Sequence, residues 1–368
     1  MGKIKELDGL RGLLAVWVVG VHLVHSVGVS PGMFGFFAPL FGAHLRVQMF
    51  CVLSGFVIFL LQSRHPQTYG SFVFGRVMRL YPVYITAFAL SVLMAGIALT
   101  ATLEAPFAGA RHGSRIDVLT ESLAAWPAHV LAHLTLLHGV VPDHILPNAA
   151  YAFLGQAWNI STEFQFYVVA PLLFLGLATG PLWRRLVTVC VCVLVWYALR
   201  NWPNPADLAQ YAPYFALGIG SFALWQRDWR QVFWLTPLIV TLGAVAVFAM
   251  VDMAAGLWLF VLGWLLLQRD RDQDRGKGRV VLGWLATRPM QWLGEISYSL
   301  YLLHMIPLYL GMYLINGLGL PREAYLGVLS AITFGLAIPI SWASTHWIEQ
   351  RLYRRAVSVK RPDSVVAV

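Results

Sequence analysis

Apolar residues fill this chain in runs of about twenty, separated by short polar or proline-bearing segments. That pattern predicts membrane-spanning helices rather than strands. Runs of spanning length fall at about 11–29, 45–62, 80–100, 158–178, 183–200, 210–226, 231–251, 255–268, 290–316 and 324–348. The expected fold is all-α: a polytopic integral membrane protein of about ten transmembrane helices, with residues 1–355 as one membrane domain and 356–368 as a short basic tail. Two connections stand out. Residues 101–157, broken by Pro106, Pro127, Pro142 and Pro147, read as an amphipathic or re-entrant cover over the outer mouth. The run from Arg269 to Arg279 alternates charges and reads as a solvated linker without chemistry. No internal repeat is visible, so the usual sequence hint of an inverted-repeat transporter is missing.

Composition strengthens the membrane reading. The 368 residues are 58% hydrophobic and 12% charged, whereas a soluble domain is about a quarter charged. Lys3 and Lys5 precede an apolar run, but no small-residue cleavage site closes it, so a cleaved signal is not expected. The net charge of +9 does not call for a nucleic-acid partner. With the N-terminus inside, all but Arg46, Arg111, Arg115, Arg200 and Arg322 of the 26 lysines and arginines fall on the cytoplasmic side. This bias predicts cytoplasmic termini and a multi-pass protein of the inner (plasma) membrane. Cys51, Cys190 and Cys192 lie inside apolar runs and read as packing residues.

The first span carries the leading candidate chemistry. Eleven residues separate Arg11 from His22, three turns plus about 20°, so both project from one helix face, with His22 about 16 Å deeper. An ionisable residue near the midplane is costly and is usually kept for function, although a histidine bonded to a neighbouring helix is the plainer alternative. His25 lies one turn beyond. Arg76 and Arg79, spaced i, i+3, suit a bidentate grip on phosphate, or serve only as cytoplasmic anchors. Trp158 and Glu163 open a span in which the carboxylate needs a partner. Ser297, Tyr301 and His304 form a polar seam, either helix–helix glue or part of a site. His129 and His133 have i, i+4 spacing without the acidic residue that a zinc enzyme would add, so no metal site is expected.

Taken together, these pieces resemble acyltransferase family 3, the membrane O-acyltransferases of sugars and related acceptors. The resemblance rests on Leu7-Asp8-Gly9-Leu10-Arg11-Gly12 with the Arg-x10-His spacing to His22, and on Phe50-Cys51-Val52-Leu53-Ser54-Gly55-Phe56. It continues in Arg76-x-x-Arg79-Leu80-Tyr81-Pro82, Trp158-x4-Glu163-x-x-Phe166-Tyr167, Ser297-x3-Tyr301-x-x-His304 and Glu349. Arg351 stands where the family usually has proline, and Gln48 where relatives often carry an acidic residue.

The resemblance implies transfer of an acyl group, acetyl above all, from coenzyme A to a hydroxyl of a carbohydrate or glycosylated acceptor. No cofactor would be permanently bound; acetyl-CoA would be a co-substrate. His22, Arg11 and Glu163 would carry the chemistry, with His22 as general base and Glu163 positioning the acceptor from the outer side or tuning His22. Arg76 and Arg79 would hold coenzyme A, while His25, Trp158, Tyr301 and His304 support the substrate. Lipid is the surrounding partner, and self-association is left open. Two other readings remain at this point: a transporter or channel with a midplane histidine relay, and a scaffold that would leave the ordered polar motifs unexplained.

Overall fold

Close contact between two helices of distant sequence organises the fold. In the computed structural model, which describes residues 4–42, 44–109, 111–226, 252–273 and 282–352, helix α1 (Lys5–Ser26) lies along α11 (Arg288–Leu303). Small residues permit this. A Cβ on Gly12 would sit 2.6 Å from the Gly294 nitrogen, and one on Gly294 would collide with the Asp8 carbonyl. Without Cβ atoms the two backbones pack as glycine-mediated membrane helices do. The Gly9–Gly12 and Gly294 motifs are therefore two halves of one crossing.

Between these two helices in sequence run α2 (His44–Arg64), α3 (Tyr69–Leu93), α4 (Ala95–Leu103), α5 (His112–Ala124), α6 (Trp126–Leu134), α7 (Trp158–Leu177), α8 (Leu182–Leu199), α9 (Leu208–Trp225) and α10 (Met253–Gln273). After α11 come α12 (Met305–Ile315) and α13 (Arg322–Ser344). Among the described residues there is no β-strand. Helix α2 packs along α9, where Cβ atoms on Gly55 and Gly218 would meet the Phe215 and Val52 carbonyls. Helix α7 touches α2, α3, α8 and α9, and a direct contact between α1 and α2 joins the two pairs.

Six helices among the described residues are long and apolar enough to cross a membrane, and a seventh results if the bent pair α11–α12 is one span. Helix α8 buries none of its residues and turns an apolar surface outward all round, which suits lipid. The molecule is an all-helical, multi-pass membrane protein. We call the end of the bundle where α1 begins proximal and the end where it finishes distal.

Several expected spans differ in detail. The run at 80–100 belongs to α3, which begins at Tyr69 and gives way to α4 at Ala95. Arg76 and Arg79 thus lie two to three turns inside a helix rather than ahead of one. The run at 290–316 is two helices bent by 56° at His304. Pro307 explains the break, because its ring nitrogen cannot donate to the Leu303 carbonyl. Helix α10 runs to Gln273 and takes in the first residues of the mixed-charge stretch. The span expected at 231–251 and the tail 356–368 lie outside the described residues. The segment between α4 and α7 carries α5, α6 and a series of turns at the distal end.

Candidate active site

Because α1 is held against α11, its distal half faces a cavity of about 340 Å³ between α1, α2, α5 and the start of α7. That volume falls within the range of small-molecule sites. His22 and His25 of α1, Trp158 of α7 and Tyr301 of α11 all line it. The Nδ1 of His22 is buried and has no hydrogen-bond partner among the described residues. Nε2 is therefore the nitrogen open to the cavity.

Behind His22 stands His304, with ring centroids 5.2 Å apart. His304 Nδ1 is 3.1 Å from the Leu300 carbonyl and 2.9 Å from that of Tyr301. Both partners only accept, so Nδ1 carries the proton and donates. His304 Nε2 is buried, bare of hydrogen and without a partner among the described residues. Tyr301 is fixed from its other end, its hydroxyl donating to the Gln156 carbonyl at 2.5 Å.

Three arginines line the same cavity. Arg46 is buried at the start of α2, donating to the Leu40 and Gly42 carbonyls, with its guanidinium 5.4 Å from the Trp17 ring. Arg115 donates to the Ser26 hydroxyl at 3.2 Å. Arg111 caps the start of α5, and its guanidinium has no hydrogen bond or ion pair among the described residues. Burial and then the neighbouring Arg115 charge hold the Arg111 guanidinium below the ordinary arginine value. Among the described residues no aspartate or glutamate lines the cavity. The nearby Glu121 carboxylate instead accepts from the Asn148 amide at 2.5 Å.

A second polar group occupies the proximal half. Glu163 is buried there, accepting from Ser54 Oγ and Tyr167 Oη at 3.1 Å each. Arg11 and Arg79 lie within electrostatic reach of Glu163, and of Glu349 from the last helical segment. Arg76 stacks over Phe72 at 5.7 Å. One helix, α1, thus sends Arg11 into a carboxylate–arginine cluster and His22 into a separate cavity.

Comparison with known proteins identifies the family. An acyltransferase-domain family model matches residues 4–346, nearly the whole chain. The chain belongs to acyltransferase family 3. It is 23% identical to the acyltransferase MdmB of Streptomyces mycarofaciens over 98% of this chain and 94% of that protein. A shorter likeness, 34% identity over 88 residues, links it to protein 2 in the picA locus of Rhizobium radiobacter, covering 23% of this chain and 41% of that one. No solved structure matches it.

In this acyltransferase the residues singled out from sequence fall into both groups. His22, His25, Trp158 and Tyr301 share the distal cavity, with His304 behind them. Arg11, Arg76, Arg79 and Glu163 belong to the proximal half. Glu163 does not line the distal cavity; it lies with Arg11 and Arg79. Both ring nitrogens of His133 are engaged, by the Tyr84 hydroxyl and the Ala149 carbonyl, and no three His, Cys, Asp or Glu side chains among the described residues are grouped to hold a metal ion.

Sequence reasoning missed the joining of Arg46, Arg111 and Arg115, which it had set aside only as exceptions to a charge rule. One signal was available. Arg46 is the second residue of the apolar run at 45–62, where a lone arginine needs a reason.

Proposed function

We propose that this acyltransferase moves an acyl group from a cytoplasmic acyl-CoA to a hydroxyl of an extracytoplasmic carbohydrate or glycosylated acceptor. The observation that carries the reading is the division along α1, with Arg11 among arginines at one end and His22 in an open cavity at the other. The lysine and arginine bias favours a cytoplasmic proximal end, and ten spans would put both termini inside. Coenzyme A pools lie on that side, and Arg76, Arg79 and Arg11 have the fork geometry that suits its phosphates. Glu163, tied to Ser54 and Tyr167, balances and orients these arginines.

An alcohol is a weak nucleophile near neutral pH, so transfer needs a base. His22 Nε2 accepts the acceptor's hydroxyl proton as its oxygen attacks the thioester carbonyl. The C–S bond then breaks, the ester forms, and the coenzyme A thiolate leaves and is protonated. His304, with its ring centroid 5.2 Å from that of His22, backs the His22 ring. Acetyl is the simplest donor, although a pocket separates acyl groups by only about 1–3 kcal/mol per methylene.

The test uses purified protein with acetyl-CoA and defined glycans. Thiol release that depends on the acceptor, with one acyl mass added to the glycan, is the expected result. Intact protein that releases no thiol with any hydroxylated acceptor would defeat the proposal.

A further inference from the structure

Three guanidinium groups from two distant segments are turned toward one cavity that no carboxylate among the described residues lines. Arg46 is 2% exposed and its Nε has no hydrogen-bond partner among the described residues. Arg111 and Arg115 stand at the start of α5, so the unbonded N–H groups of that helix add positive potential to theirs. The like charges lie close enough to act on one another: Arg111 is felt by Arg46, by Arg115's neighbour His25 and by His44. Holding three cations together around a partly desolvated cavity is unfavourable unless an anion joins them. A neutral glycan would leave that field unused.

We infer that the acceptor is an acidic one, and that Arg46, Arg111 and Arg115 seat a carboxylate or phosphate group of it while a neighbouring hydroxyl faces His22. The inference rests on reading the distal cavity as the acceptor site. Uronate-type sugars and phosphorylated sugars share the required chemistry. Both offer planar or trigonal oxygens to guanidinium forks, and both carry hydroxyls within a few bonds of the charge. His44, whose Nδ1 is 3.3 Å from the Tyr211 hydroxyl, adds a neutral hydrogen-bonding wall.

The test measures equilibrium binding to the detergent-solubilised full chain, using glucuronate, its methyl ester, glucose 6-phosphate and glucose. Glucuronate or glucose 6-phosphate should bind at least about tenfold more tightly than its neutral counterpart, with the difference shrinking as salt rises. Whichever acid is preferred identifies a carboxylate or a phosphate as the seated group. Arg111→Gln and Arg115→Gln should each remove most of that preference, whereas Arg200→Gln, which deletes the same charge elsewhere, should not. Arg46 holds two carbonyls and is left unaltered. The acid-to-ester comparison on the unaltered protein needs no variant to fold.

Equal binding of acid and ester would overturn the inference, and so would a preference that survives both substitutions. Desulfo-CoA displaced from Arg111→Gln but not from Arg79→Gln would also overturn it, by placing the donor in this cavity. Failure of acyl transfer with every acceptor, alongside intact acid-selective binding, would remove the transferase reading and leave the anion site standing.

Discussion

The rings of His22 and His304 lie 5.2 Å apart across the contact between α1 and the bend joining α11 to α12. Nδ1 of His304 is committed to two backbone carbonyls, so this histidine presents only an unprotonated nitrogen to its surroundings. His22 lines the distal cavity beside it. As a base, His22 should be lost in its chemical role by either His22→Ala or His22→Gln, since an amide cannot take up the proton. Turnover should fall by about 10²–10⁴-fold in both, while donor binding is kept. Near-parental turnover in His22→Gln would make His22 a packing residue. His304→Gln should lower kcat more than it raises KM, and should shift the pH profile of kcat.

Close packing of α1 on α11 sets this distance, and it can be disturbed remotely. Gly294→Ala drives a Cβ into the Asp8 carbonyl, so the helices must part. Overpacking of this kind costs about 1–3 kcal/mol. The melting temperature and the turnover should both drop. Gly20→Ala, on the same helix with nothing within 4 Å of the added atom, serves as the comparison and should be neutral or slightly stabilising. Equal behaviour of the two variants would show that the crossing tolerates separation.

A histidine pair outside the spans ties stability to pH. His133 and His138 stack with centroids 3.9 Å apart, and the Tyr84 hydroxyl contacts His133. Burial lowers the His138 pKa from 6.5 to about 4, opposed only in part by the Ala157 carbonyl. Burial, then the His138 ring, also lowers His133. Above pH 6.5 both states of the chain hold His138 neutral, and its contribution is complete. Between pH 6.5 and about 4 the unfolded chain binds a proton that the folded one refuses, so stability is lost as pH falls, by about 3 kcal/mol across the window. Thermal unfolding at pH 7.5 and 5 should show the decline, and His138→Gln should flatten it. An unchanged slope in that variant would rule out His138 as its source.

Sidedness has its own check. A reporter fused after Arg185, between α7 and most of α8, should read cytoplasm, and one near Gly113 at the start of α5 should read outside. Fusions reporting a single side would sink the ten-span topology.

The sequence made some of this legible for plain physical reasons. Arg11 and His22 share a helix, so their common face and separation follow from helical geometry alone. The Trp158–Glu163 segment was likewise readable as a helix entering the membrane. The partner of Glu163 was not, because Ser54 lies on another helix more than a hundred residues away. Arg46 and Arg111 meet only through tertiary packing, and no local period links them. The bend at His304 was hidden because the apolar pattern continues through it, and only Pro307 marked the missing hydrogen bond.

The proximal arginines allow the most direct test of donor binding. Arg79 is within electrostatic reach of Arg11, Glu163 and Glu349, so it already sits in a balanced field, and Arg76 rests on Phe72. If these groups hold coenzyme A phosphates, Arg79→Ala should weaken acetyl-CoA binding by about tenfold or more, as loss of a charge-assisted contact does. Arg79→Lys should recover only part, because a point charge lacks the guanidinium fork. Desulfo-CoA separates binding from chemistry, since it carries the phosphates without the thiol. Its affinity should fall in parallel with that of acetyl-CoA, while binding of sugars in the distal cavity stays unchanged. Arg76→Ala should act in the same direction. Well-folded variants with undiminished affinity for both ligands would leave the two arginines as structural charges balancing Glu163 and Glu349, and the donor phosphates would have to be sought elsewhere on the proximal face.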